Sequence, residues 1–176
     1  MYKHLYIFNM DFYQSLGNLI LGSRLRRLSD YYISELNSVY QNQGIEFDTS
    51  WFPVFYLLSQ NSPLSIKDIS DKVGVSHSAS SQLISHLKKK GYLVTKASAE
   101  DKRKILVELT PAGSCLLNDI LPIWESIKKS MEEIECSNPS ISQVLKGLTA
   151  LEETFNEIKL SEQILRNLEN CKSTLN

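Results

Sequence analysis

Seven of the 17 residues from Lys88 to Lys104 are Lys or Arg, and just upstream Ser81, Gln82, Ser85 and Lys89 follow Ser78 at offsets of 3, 4, 7 and 11. That spacing is one face of a helix, opposite Leu83 and Leu87. Neither set is equipped to make or break bonds. The chain has no G-x-x-x-x-G-K-[ST] phosphate cradle, no G-x-S-x-G elbow and no H-E-x-x-H pair. His4, His77 and His86 lack the spacing that would assemble a metal site with nearby carboxylates. Cys115, Cys136 and Cys171 include no C-x-x-C pair and read as structural or incidental thiols. The expectation is therefore a protein with no catalytic residues, no metal and no cofactor. Clustered cations can neutralise phosphates, and an amide such as Gln82 can pair bidentately with adenine, a contact that discriminates by about 1–3 kcal/mol.

Charge is distributed to suit a polyanion. The net charge of −1 conceals a gradient: residues 1–59 carry −1, residues 60–110 carry +4 and residues 111–176 carry −4. A near-neutral total thus accompanies one polyanion-facing segment. The 176 residues, 42% hydrophobic and 22% charged, fit one globular domain with an extension rather than a disordered chain. The longest apolar run, Phe52 to Leu58, is far short of a membrane span. No cleavable leader is evident, although Tyr2 to Phe8 is unusually apolar for a terminus. Few cysteines and no leader suit a reducing cytoplasm.

The elements that must position these residues are mainly helical. From Phe12, apolar residues recur in steps of three and four to Val39, predicting a first helix of about 30 residues. A second, from about Thr49 to Gln60, is apolar all round from Trp51 to Leu58 and is expected to be buried on every side. Ser65 and Asp68 are spaced as a capping box for a short helix that ends at Gly74. Ser76 caps the next helix, with Ala79, Leu83, Ile84 and Leu87 inward and a stop at Gly91. Tyr92–Thr95 and Ile105–Leu109 read as strands around a polar tip. Thr110-Pro111 opens a long helix that Pro122 is expected to kink. One last helix is predicted from about Ser140 to beyond Leu168, with a coiled-coil-like seam through Ile141, Val144, Leu148, Leu151, Phe155 and Ile158.

The fold class expected from this order is mainly α with a small β-hairpin wing, a winged helix-turn-helix core flanked by long dimerisation helices. Residues 1–60 would hold an N-terminal dimerisation helix and the buried second helix. Residues 61–110 would form the DNA-binding region, and residues 111–176 the C-terminal dimerisation helices. A small middle unit cannot bury three long amphipathic helices alone, so a second copy of the chain is the expected cover.

Such a unit reads duplex DNA by three means. A helix with short polar side chains enters the major groove: here Ser76, His77, Ser78, Ser81, Gln82, Ser85, His86 and Lys89. Cations meet passing phosphates, with Lys88 to Lys90 and Lys96 as candidates. A thin projection reaches the minor groove, where the tip Glu100-Asp101-Lys102-Arg103-Lys104 supplies Lys102, Arg103 and Lys104, Asp101 restraining Arg103. The plainer alternative is that the lysines only complement a helix C-terminus, worth about 0.3–1 kcal/mol each. Tyr31, Trp51 and Tyr56 could line an effector cavity, though aromatics at helical spacing are more often core.

At SIKDISDKVGVSHSASSQLISHLKKKGYL and EDKRKILVELTPAG, within Leu64 to Gly113, the chain resembles the MarR family of transcriptional regulators. The D-x-R of Asp101 and Arg103, followed by Leu109-Thr110 and Gly113, carries the resemblance most specifically. It implies a homodimer with interlocked terminal helices, recognition helices in successive major grooves of a pseudo-palindromic operator, wings in flanking minor grooves, and modulation by a small molecule or oxidant. Two features depart from the pattern. Ser80 stands where Val or Ile is usual, and the polar stripe lacks Arg for guanine. The family's peroxide sensors place a reactive Cys near the start of the first long helix, and none lies there here. The function expected is a homodimeric, sequence-specific DNA-binding repressor with a small-molecule effector. The alternative is a winged-helix protein-interaction module without DNA binding.

Overall fold

The computed structural model describes residues 11–99, 101 and 104–174. The apolar segment Tyr2 to Phe8 and His4 lie outside them. Two compact units are present, one up to Pro122 and the other from Ile123.

The first unit opens with a helix that is broken rather than continuous. Helix α1 (Asp11–Ser15) gives way to a 3-10 turn over Gly17–Ile20 before α2 (Leu21–Asn42). Gly17 adopts φ 53°, a left-handed conformation that ends the first segment. Asp48 caps the next element, its carboxylate accepting from the Ser50 N–H at 2.8 Å. The chain then passes through a 3-10 turn (Thr49–Trp51) into α3 (Phe52–Gln60), with Pro53 in the first turn as its missing N–H requires. Trp51, Val54, Phe55 and Leu58 are buried, but Phe52 and Tyr56 are exposed, so α3 is covered on one side only.

Helix α4 (Ile66–Val73) starts at a complete capping box. The Asp68 N–H donates to Ser65 Oγ at 3.0 Å, and the Ser65 N–H returns to the Asp68 carboxylate at 3.2 Å. The Ser65 hydroxyl also donates to that carboxylate, at 2.6 Å. These bonds favour the charged carboxylate and hold Asp68 below its ordinary pKa. Ser65→Ala is expected to cost about 1 kcal/mol in chemical unfolding. Because Asp68 is depressed in the folded state, its contribution is present above the ordinary carboxylate range. It is lost as pH falls through the depressed value, below about pH 4. Acid titration of stability should therefore be shallower in Asp68→Asn than in the parent.

A three-residue turn, Gly74 to Ser76, joins α4 to α5 (His77–Lys89). Gly74 takes φ 73°, which lets the Gly74 and Val75 N–H groups both donate to the Ser70 carbonyl. Ser76 caps α5 by accepting from the Ala79 N–H at 3.2 Å. Ile84 and Leu87 face the core as predicted. Ala79 does not; it is exposed, and Ser80 takes the inward place at 3% exposure.

The sheet has three strands rather than two. β2 (Leu93–Ala97) and β3 (Ile105–Leu109) pair antiparallel, Leu93 opposite Leu109 and Ala97 opposite Ile105. The short β1 (Leu64–Ser65) joins the other edge of β3, with Leu64 opposite Val107 and Ser65 opposite Leu106. The core gathers Tyr40, Phe47, Trp51, Phe55, Ile69, Ile84, Leu87, Leu93, Val107 and Ile120. Each large side chain buried there contributes about 1.5–3 kcal/mol.

Helix α6 (Pro111–Ser137) begins at Thr110, whose Oγ1 accepts from the Gly113 N–H at 3.0 Å. The helix continues through Pro122. In the second unit the expected single last helix is two: α7 (Ser142–Glu157) and α8 (Leu160–Thr174). Ile158 is extended, at φ −121° and ψ 121°, a conformation congenial to a β-branched residue. The Lys159 carbonyl then accepts from Glu162 and Gln163 to open α8. Helix α7 has no buried residue, and Val144, Leu145, Phe155 and Ile158 of the seam region are exposed.

Candidate nucleic-acid interface

One end of α5 is fixed by the Gly74 turn and the Ser76 cap. Its apolar side is fixed by Ile84 and Leu87 in the core. The opposite face is thereby set outward. There Ser78, Ser81, Gln82, Ser85, His86 and Lys89 line a shallow depression of about 370 Å³. All six were expected on sequence grounds to face a base edge or phosphate. His77 lies at the start of the same face, with Nδ1 3.4 Å from Ser81 Oγ. Ser76 commits its oxygen to the cap, leaving its hydroxyl proton as the only donor it can offer outward.

The three consecutive lysines have three different surroundings. Lys88 donates to Thr95 Oγ1 on β2 at 2.6 Å, tying the helix to the hairpin. Lys89 lines the polar depression, and among the described residues it makes no ion pair. Lys90, at the helix C-cap, is bonded to the Glu46 carboxylate and lies 5.5 Å from the Trp51 ring centroid. The bond to Lys90 holds Glu46 below its ordinary pKa, and the bond to Glu46 raises that of Lys90. Sequence reasoning missed Glu46. It is 44 residues from its partner, and no local spacing announces the pair.

On the hairpin, Lys96 pairs with Glu108 across the two strands at 2.8 Å and keeps 62% of its side chain exposed. The tip is pinned where the Ser98 N–H donates to the Lys104 carbonyl at 2.9 Å and the Lys104 N–H to Asp101 at 2.8 Å. Lys104 is exposed. Glu100, Lys102 and Arg103 lie outside the described residues, so the pairing expected of Asp101 with Arg103 does too.

The proposed effector aromatics are placed differently from one another. Trp51 is core, its ring 5.6 Å from Phe47, 6.1 Å from Tyr92 and 5.7 Å from His86. Tyr56 is 46% exposed and stacks on Phe52, while Tyr31 is half-buried on α2. The ring contacts above do not join the three. Cys115, Cys136 and Cys171 are free and exposed, so none is a packing residue. Among the described residues no cluster of His, Cys, Asp and Glu could hold a metal, and no helix is long and apolar enough to cross a membrane.

Residues 45–104 match a family model described as the MarR family. The HTH-type transcriptional regulator YfiV of Bacillus subtilis is 26% identical over 151 residues, covering 82% of this chain and 92% of the relative. Bordetella bronchiseptica BpsR, solved in a study of the regulation of its DNA binding by 6-hydroxynicotinic acid, is similar in fold. It has a TM-score of 0.62 at 22% identity, over 76% of this chain and 92% of its own. S. aureus MepR in complex with DNA has a TM-score of 0.66 at 16% identity, over 76% of this chain and 97% of its own. The structural likenesses carry the fold, and the family-model match runs from the segment before α3 through the helix-turn-helix to the hairpin tip. Residues 45–104 are thus similar to the MarR family, and the chain shares the winged-helix fold of these solved regulators.

Proposed function

We propose that the protein is a homodimeric, sequence-specific DNA-binding repressor whose operator binding is modulated by a small molecule. The observation that carries this is the outward face of α5, where six polar side chains and no carboxylate line one depression. Gln82 would read a base edge, His77, Ser78, Ser81 and Ser85 would contact bases or phosphates near it, and Lys89 would neutralise a phosphate. Lys96, Lys102, Arg103 and Lys104 of the hairpin segment would follow the flanking backbone and minor groove. The relationship to MepR, solved on DNA, supports the same docking.

Dimerisation is supported by the apolar side chains left exposed in each unit. Leu19 and Leu28 in the first and Leu145 and Leu165 in the second each keep more than half of their surface in water. A second copy covering them would assign residues 1–60 and 111–176 to dimerisation and residues 61–110 to DNA. The effector is supported by BpsR, whose DNA binding 6-hydroxynicotinic acid regulates. Among Tyr31, Trp51 and Tyr56, it is Trp51 that touches His86 on α5, so an occupant displacing it would act on the reading helix.

The test is selection of bound duplexes from random DNA, followed by titration of variants against the selected site and a scrambled one. Gln82→Ala should lose about tenfold or more at one base pair only. Lys89→Gln should weaken both duplexes alike and reduce the salt slope by about 0.9 per subunit. Arg103→Ala should weaken binding across many sequences. Unchanged affinities in all three would overturn the assignment, and a parent without duplex affinity would return the fold to a protein-interaction role.

A further inference from the structure

Lys90 sits at the C-cap of α5, about 80° round the helix from Gln82. That angle places it at the flank of the outward face, where the phosphate backbone would pass a helix seated in the groove. Its ammonium is nevertheless held away, bonded to Glu46 and lying over the Trp51 ring, and only 29% of its side chain is exposed. The segment that carries Glu46 is rigidly mounted. The Ile45 N–H donates to the Tyr40 carbonyl at 2.9 Å, and the Phe47 ring, buried beside Glu46, packs 4.8 Å from Tyr40 and 5.6 Å from Trp51. A carboxylate fixed to the corner between α2 and α3 thus retains a cation that would otherwise belong to the DNA-facing surface.

We propose that Glu46 is a specificity-determining residue that holds Lys90 off the phosphate backbone and so limits sequence-independent binding; this rests on the DNA-binding role proposed above. Phosphate contacts carry no sequence information, and each added cation strengthens correct and incorrect sites alike. Withholding one per subunit leaves a larger share of the affinity to base contacts such as that of Gln82. Glu46 touches no base in this arrangement; it acts through Lys90.

The experiment measures binding of the full chain to a selected site and to a scrambled duplex across a salt series. Glu46→Gln should bind the scrambled duplex several-fold more tightly, with a slope of log K against log salt steeper by about 0.9 per subunit. Its ratio of specific to non-specific affinity should fall. Lys90→Gln should keep the parental slope, and the double variant should match Lys90→Gln. A Glu46→Gln slope equal to the parent's overturns the proposal while leaving DNA binding intact. A gain that survives in the double variant overturns it as well, because Lys90 would not be its source. A parent that binds neither duplex overturns both this proposal and the reading beneath it.

Discussion

Gly113→Ala is expected to destabilise the first unit by about 3 kcal/mol or more, lowering the melting temperature by roughly 10 °C. A Cβ at this position would stand 2.1 Å from the Tyr92 carbonyl oxygen and 3.1 Å from the Tyr92 carbonyl carbon. No rotamer change relieves a clash with backbone. The same carbonyl accepts from the Thr110 N–H at 3.0 Å, and Thr110 Oγ1 donates to the Gly91 carbonyl at 2.6 Å. To admit a methyl group, α6 must retreat from the start of the hairpin and give up those bonds. Thermal and chemical unfolding of the single variant checks this. A melting temperature within about 2 °C of the parent would mean that α6 does not approach Tyr92 so closely.

The second large effect concerns binding rather than stability. The double variant Ser78→Glu with Ser85→Glu is expected to weaken duplex binding by more than about 100-fold, since like charges brought together at an interface cost several kcal/mol. Both serines are exposed and line the polar depression, so neither change disturbs the core. Ser78 also lies in the first turn of α5, where a carboxylate favours the helix. Melting should consequently be unchanged while affinity collapses. Retained affinity would show that some other face of the molecule meets the duplex.

The contrast between these variants reflects what was legible beforehand. The Ser65–Asp68 box, the Ser76 cap and the Thr110-Pro111 start are signals written within four residues, and each forms as its spacing predicts. The outward stripe of α5 was legible for the same reason, because a helix fixes which residues share a face. Features decided at long range were not. The two residues of β1 carry no strand pattern and are strand only because β3 lies beside them. Glu46 and Lys90 meet through the packing of Phe47 and Trp51. Phe52 and Tyr56, apolar enough to predict burial, stay exposed because α3 is covered on one side. The end of α7 at Ile158 was hidden because the seam spacing runs right up to the break, with no Gly or Pro to mark it.

The double duty of Ser65 has a mechanical corollary. Its backbone pairs with Leu106 in the sheet, while its side chain opens α4. A displacement of β3 would therefore pull on the first turn of α4, and strain entering at one would be felt at the other. Sheet and α4 are thereby joined at one residue, and neither can shift without the other.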